Sequence, residues 1–148
     1  MTPPTIHASA VLIGARAALI RGPAGAGKSQ LVLALIEAAR MGLLPFARLV
    51  ADDRAHVAAV NGRLIVRPPE ALAGLIEVRG LGIRRLPFEP LAVVGLVVDL
   101  AAEDAERLPP AASRSITIDG VSVPRLPVAP GGDALRLVLA ELSSAAAP

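Results

Sequence analysis

One stretch of the chain carries a chemical instruction in its residue types alone. Gly22-Pro23-Ala24-Gly25-Ala26-Gly27-Lys28-Ser29 satisfies the spacing G-x-x-x-x-G-K-[ST]. The glycines let successive backbone N–H groups turn inward toward phosphate oxygens, and a helix starting at the end of the run adds its positive pole. In such a loop Lys28 reaches the β and γ phosphates, and the Ser29 hydroxyl ligates Mg²⁺. Lys28 is also the one lysine of the chain, every other basic residue being arginine. A position that keeps lysine against this bias needs a compact ammonium on a flexible stem. The bland alternative, a glycine-rich turn that happens to precede a helix, explains neither the lysine nor the serine. The loop from Gly22 to Ser29 therefore points to ATP with Mg²⁺.

Further polar residues fall where such a loop would use them. Asp52 and Asp53 end the apolar run RLVADD, at the carboxyl edge of a strand where an acid meets metal or substrate. Neighbours in a strand point opposite ways, so one of the pair is expected to face the phosphates and the other to support the loop. Glu77-Val78-Arg79-Gly80-Leu81-Gly82-Ile83 combines a carboxylate, a guanidinium and two glycines. Glu77 would complete a metal shell, while Arg79 would bind phosphate or orient Glu77. A surface ion pair beside a turn is the competing reading of those two residues. His7 lies on the strand pair leading into the loop, from which it can approach the phosphates. His56 reads as the start of a hairpin strand, and Arg107 as one arginine among many in a polar loop.

These residues need elements to hold them. Ile6 to Ile13 and Ala17 to Arg21 read as strands around a Gly14-Ala15-Arg16 turn. Ser29 to Met41 has helix formers with apolar residues at Leu31, Leu35, Ala38 and Ala39, and Gly42 as its cap. FARLVADD is a short strand, and His56 to Val60 and Arg63 to Arg67 form a hairpin across Asn61-Gly62. Pro68 and Pro69 open a short helical stretch, EALAGLI. LAVVGLVVDL, apolar on both faces, reads as a central buried strand. A second hairpin turns at Asp119-Gly120, and a final helix is capped by Asp133. The expectation is one domain over residues 1–148, mixed α/β with hairpins and few helices, with residues 142–148 fraying.

Composition closes off several other classes. Hydrophobic residues make up 53% of the 148, yet no apolar run approaches the ~20 residues of a membrane span. No secretory signal is visible in MTPPTIHAS, and the absence of cysteine excludes disulfides and thiolate metal sites. A soluble cytoplasmic protein that does not act on a membrane is expected. A net charge of +2 and 1% aromatics supply neither the field nor the stacking platform of a nucleic-acid binder.

His7, GPAGAGKS, RLVADD and EVRGLGI together resemble the catalytic domain of HPr kinase/phosphorylase, a bacterial regulator of sugar phosphotransferase systems. The resemblance covers nearly the whole chain. It implies a P-loop variant related to phosphoenolpyruvate carboxykinase. The activity it implies is ATP-dependent phosphorylation of a serine on the carrier HPr, and reversal by inorganic phosphate with release of pyrophosphate. By the same resemblance Gly22, Pro23, Ala24, Gly25, Ala26, Gly27, Lys28 and Ser29 bind nucleotide, and Ser29 and Glu77 match the magnesium ligands. Asp53 matches the residue that exchanges the serine proton, and His7 a catalytic histidine. Arg79 falls in the family's signature segment, and Arg107, in ERLP, matches a catalytic arginine on a mobile loop. The resemblance is to the catalytic half alone, and it implies a homo-oligomer, a hexamer in the family. Where the family has a basic proline-glycine loop tied to dephosphorylation, this chain reads VAPGGDA, so kinase activity is expected to outlast phosphorolysis. A small-molecule kinase with the same phosphate grip would leave EVRGLGI unaccounted for, and a non-catalytic ATP sensor that changes a partner's activity when occupied is an alternative of a different class.

Overall fold

The computed structural model describes residues 3–147. The glycine-rich run Gly22 to Gly27 leaves β2 (Arg16–Arg21) and enters α1 (Lys28–Arg40). β1 (Ile6–Ile13) precedes them and β3 (Ala47–Ala51) follows. Helix α1 buries Leu31, Val32, Leu35, Ile36 and Ala38, the stripe that its spacing predicts. It ends as glycine dictates: Gly42 N–H donates to Ala39 O and Leu43 N–H to Ala38 O, the paired bonds of a Schellman turn, with Gly42 at φ 80°.

The chain continues through the hairpin β4 (Arg54–Val60) and β5 (Arg63–Arg67), then the small hairpin β6 (Leu75–Val78) and β7 (Gly82–Arg85). β8 (Ala92–Asp99), the hairpin β9 (Ser115–Ile118) and β10 (Val121–Pro127), and α2 (Ala134–Ser143) complete it. β2, β8 and β10 run parallel side by side, while β1 is antiparallel to both β2 and β3. β2, β3, β8 and β10 therefore all point their carboxyl ends to one edge. β1 forks: Ile6 and His7 pair with β4, and Ala10 to Ile13 with β3. β5 pairs with the start of β8, so β2, β1, β4, β5 and β8 close into a ring.

The sheet separates two apolar clusters. One gathers the α1 stripe with Val11, Ile20, Leu96 and Val98, and the other Ala10, Leu19, Val94 and Val97 with the hairpin residues Leu64 and Val66. Residues of β2 alternate strictly between them, as a pleated strand requires. β8 does not: Val94 and Leu96 fall on opposite faces because Gly95 is an extra residue, skipped in the pairing of Ala17 with Val94 and Ala18 with Leu96. Arg16 occupies the space that a Gly95 side chain would need, its Cβ 2.8 Å from an ideal Cβ there.

One element departs from the sequence expectation. EALAGLI is not a helical stretch but a single 3₁₀ turn, Glu70–Leu72, followed by β6. Gly74, at φ 77°, stops the helix, and it sits so close to Phe88 that an added Cβ would lie 2.9 Å from the ring. Its carbonyl instead accepts from Leu86 N–H at 2.8 Å. Helix α2 runs to Ser143, beyond which residues 144–147 have no regular structure; Pro148, the end of the segment expected to fray, lies outside the described residues. Neither helix is long and apolar enough to cross a membrane.

Candidate active site

The loop after β2 is shaped by close approach. A Cβ on Gly22 would lie 3.1 Å from Leu100 Cβ and 3.2 Å from its carbonyl oxygen, so only glycine lets β2 turn away here. Gly27, at φ 102°, then redirects the chain into α1. The two helices begin differently: Asp133 accepts a hydrogen bond from Arg136 N–H and caps α2, whereas α1 has neither a side-chain cap nor an acid in its first turn. Its leading amides remain free to meet an anion. Lys28 is buried, and its ammonium donates to the carbonyls of Gly22 at 2.9 Å and Pro23 at 3.2 Å. An ammonium has three donors, so one remains for a phosphate oxygen.

Beside the loop, Asp52 is a buried hub. Its Oδ1 accepts from Ser29 Oγ at 2.6 Å and Ser9 Oγ at 3.0 Å, and its Oδ2 from the backbone N–H of Glu77 at 3.1 Å. One carboxylate thus joins β1, the start of α1, β3 and the β6–β7 hairpin. Asp53 turns the other way, as neighbours on a strand end must. Arg54 N–H bonds to Asp52 O at 2.8 Å around it, a three-residue turn with Asp53 at φ 67°. This left-handed conformation is strained for a non-glycine residue. It is held by the Asp53 N–H bond to Ser9 Oγ at 3.1 Å, and it brings Asp53 Oδ1 to 2.5 Å from His7 Nε2.

These groups surround a cleft of about 380 Å³ lined by His7, Lys28, Ser29, Asp52, Asp53, Glu77 and Arg79. Glu77 and Arg79, two apart on the hairpin, both face it without pairing to each other; among the described residues no ion pair joins them. The Arg79 guanidinium instead approaches the loop, 3.9 Å from where a Gly25 Cβ would stand. A hydroxyl and the carboxylates of Asp52 and Glu77 are hard oxygen donors. Among the described residues no cluster of three or more His, Cys, Asp or Glu side chains is poised to enclose a metal. This combination fits Mg²⁺, which is held by one or two carboxylates together with phosphate oxygens and water.

Of the residues given a chemical role in the sequence, His7, Lys28, Ser29, Asp52, Asp53, Glu77 and Arg79 thus meet at one cleft. Arg107 does not: it is exposed on the segment after β8 and is not among the lining residues. His56 is structural, its Nδ1 3.0 Å from Pro4 O. Sequence reading missed Ser9, although Ser9 and His7 are two apart in a strand and must share a face, which is the signal that could have found it. It also missed Arg125. That side chain, with 12% of its surface exposed, bonds Asp99 at 2.6 Å, Asp104 at 2.8 and 3.0 Å, and the Ser113 carbonyl at 3.0 Å. It straps down the segment that carries Arg107. Arg21 grips Asp99 from the other side at 2.7 and 2.8 Å. Burial pushes the Asp99 carboxyl up, but the bonds and charges of Arg21 and Arg125 outweigh it and hold the group below its ordinary value. The same Arg125 bond lowers Asp104.

Fold and cleft together define a mixed α/β domain whose strand–loop–helix anion cradle opens onto a set of acids at the carboxyl edge of its sheet. Comparison with known proteins is consistent with that class and narrows it. Residues 2–145 match the family described as HPr Serine kinase C-terminal domain, and the chain belongs to that family. The HPr kinase/phosphorylase of Clostridium tetani is 33% identical over 128 residues, covering 76% of this chain and 39% of that protein. The HPr kinase/phosphorylase of Clostridium beijerinckii is 38% identical over 78 residues, covering 53% and 24%. This chain therefore spans well under half the length of those curated relatives. The solved structure of the Hpr(Ser) kinase/phosphatase from Coxiella burnetii aligns with a TM-score of 0.70 at 30% identity, covering 85% of each chain.

Proposed function

We propose that this chain is the catalytic domain of an ATP- and Mg²⁺-dependent protein serine kinase acting on the phosphocarrier HPr, with a regulatory role in phosphotransferase-system signalling in the cytoplasm. The observation that carries the proposal is the pairing of an uncapped loop–helix start with a strained, outward-turned carboxylate across one cleft. The hairpins packed around the parallel strands favour the fold variant related to phosphoenolpyruvate carboxykinase. Bound Mg²⁺, between Ser29 and Glu77, would neutralise charge on the β and γ phosphates. The amides of Gly25, Gly27, Lys28 and Ser29 and the spare Lys28 donor hold the terminal phosphates, and Arg79 adds charge from the hairpin. Asp53, steadied by His7, takes the proton of the incoming serine hydroxyl. The serine oxygen bonds to the γ phosphorus as the bond to the bridging oxygen breaks, and ADP leaves.

Arg107, on its strapped segment, is assigned the part of an arginine that reaches the cleft once HPr is seated. The family resemblance also favours a hexamer. Phosphorolysis with inorganic phosphate to give pyrophosphate is expected to be the weaker direction, because Val128-Ala129-Pro130-Gly131-Gly132-Asp133-Ala134 offers no arginine to hold an attacking anion. Incubation with ATP, Mg²⁺ and purified HPr, followed by mass spectrometry, tests the whole reading. One phosphate on an HPr serine is expected. An unmodified HPr, with ATP either turned over on a small acceptor or merely bound, would refute it.

A further inference from the structure

Three consecutive residues of β1 hold three different groups of Asp53. His7 reaches its carboxylate, with Nε2 2.5 Å from Oδ1. Ala8 N–H donates to its carbonyl at 3.1 Å, and Ser9 Oγ accepts from its amide at 3.1 Å. Ala8 acts through its backbone, which any residue but proline offers. Ser9 acts through a hydroxyl, so that bond depends on the residue at position 9. The side chains of His7 and Ser9 share one face of the strand, as residues two apart must. Asp53 needs such a grip, because its φ of 67° is a conformation that a residue with a Cβ keeps only when its surroundings impose it.

The direction of each bond around Ser9 is determined. A hydroxyl has one proton and two acceptor sites. Because Ser9 Oγ accepts from Asp53 N–H, its own proton goes to Asp52 Oδ1, 3.0 Å away. The same Oδ1 accepts from Ser29 Oγ at 2.6 Å. Ser9 has no exposed surface, so bulk water does not replace its hydroxyl. Ser29, Asp52, Ser9 and the Asp53 amide thus form one unbroken chain of bonds from the start of α1 to the acid on the opposite side of the cleft. We infer that Ser9 is a positioning residue for the transfer: its hydroxyl fixes the Asp53 turn relative to Ser29 and so sets where the carboxylate meets the incoming hydroxyl. Ser9 itself does not line the cleft, so it acts through Asp53. This rests on the proton-accepting role proposed above for Asp53 and names what keeps that acid in place. A reacting group misplaced by about 1 Å can lose on the order of 100-fold in rate, with both substrates bound as before.

Four variants of the full chain test this: Ser9→Ala, Ser9→Thr, Asp53→Asn, and the double variant carrying Ser9→Ala and Asp53→Asn. HPr phosphorylation is measured at varied Mg²⁺·ATP and HPr, and the Asp53 amide is followed by hydrogen exchange. In Ser9→Ala the amide should exchange about tenfold faster or more, kcat should fall about tenfold or more, and the KM values for ATP and HPr should stay within about twofold. Ser9→Thr keeps the hydroxyl, and its rate should recover as far as the protection of the Asp53 amide recovers. In the Asp53→Asn background, Ser9→Ala should change the residual rate by less than about twofold, because a residue that acts through Asp53 then has no base to position. A variant with a freed amide and full kcat, or a protected amide and a low one, overturns the inference. So does an equal loss of rate in both backgrounds, or a loss seen only as a raised KM for ATP, which would place the action of Ser9 at the phosphates. If the natural chain leaves HPr unmodified, the proposed function falls instead, and the amide exchange alone decides whether Ser9 holds the turn.

Discussion

Asp52 and Asp53 are adjacent and chemically identical, yet the fold gives them opposite duties. Asp52 is buried and satisfies three donors from three parts of the chain. Asp52→Ala would leave those donors without an acceptor, at about 1–3 kcal/mol for each one that water cannot reach. A loss near 3 kcal/mol is expected by urea denaturation, and an unchanged midpoint would show that Asp52 is no hub. Asp53 is exposed and conformationally strained. Asp53→Asn should cut HPr phosphorylation by about 100-fold or more, the scale of a lost general base, with ATP binding retained; undiminished transfer would remove Asp53 from that role. Asp53→Gly should be equally inactive but no less stable, and up to about 1 kcal/mol more stable, since glycine adopts the left-handed turn without strain. At this scale the sequence disclosed that two acids stood at a strand end and that they would diverge. Which acid turned inward depended on Ser9, whose hydroxyl accepts from one residue and donates to the other, a contact between segments more than forty positions apart.

Among the elements, those with local causes were legible. Helix α1 follows from its apolar spacing and Gly42, and the two main hairpins follow from Asn61-Gly62 and Asp119-Gly120. EALAGLI misled because its helix formers are outvoted by Gly74, whose left-handed turn and contact with Phe88 are tertiary demands. The bulge at Gly95 was equally hidden, since a strand shows its extra residue only when paired with its neighbour. Gly95→Ala should expose that dependence: the new methyl meets Arg16 Cβ, an atom fixed to the backbone, so strand β2 or β8 must shift. A cost of about 1–3 kcal/mol is expected, read from the denaturant midpoint. A neutral outcome would mean the bulge absorbs a side chain freely.

Across the whole molecule, Arg21, Asp99, Asp104 and Arg125 clamp the carboxyl ends of three parallel strands. Arg125 could not be read as important from sequence, because its partners are set only when β10 lies beside β8. The clamp makes a pH prediction. With the Asp99 carboxyl held below its ordinary value of 3.8, the unfolded chain binds more protons between those two values. Stability therefore rises with pH through that window, is complete above it, and is lost as pH falls through the folded value. Asp99→Asn should lower stability at neutral pH and flatten the acid limb below about 3.8, measured as denaturant midpoint against pH. An acid limb as steep as that of the natural chain would assign it to other carboxylates.

The insertion of β8 between β2 and β10 has a temporal consequence. The glycine loop is made well before Leu100, against which Gly22 rests, and β8 must find a partner some eighty positions behind it. Pairings of such long sequence separation form slowly. The newborn chain would therefore carry its glycine loop in an unsupported state until β8 and Leu100 have left the ribosome. In refolding, ATP binding should appear no sooner than hydrogen-exchange protection of the β8 amides.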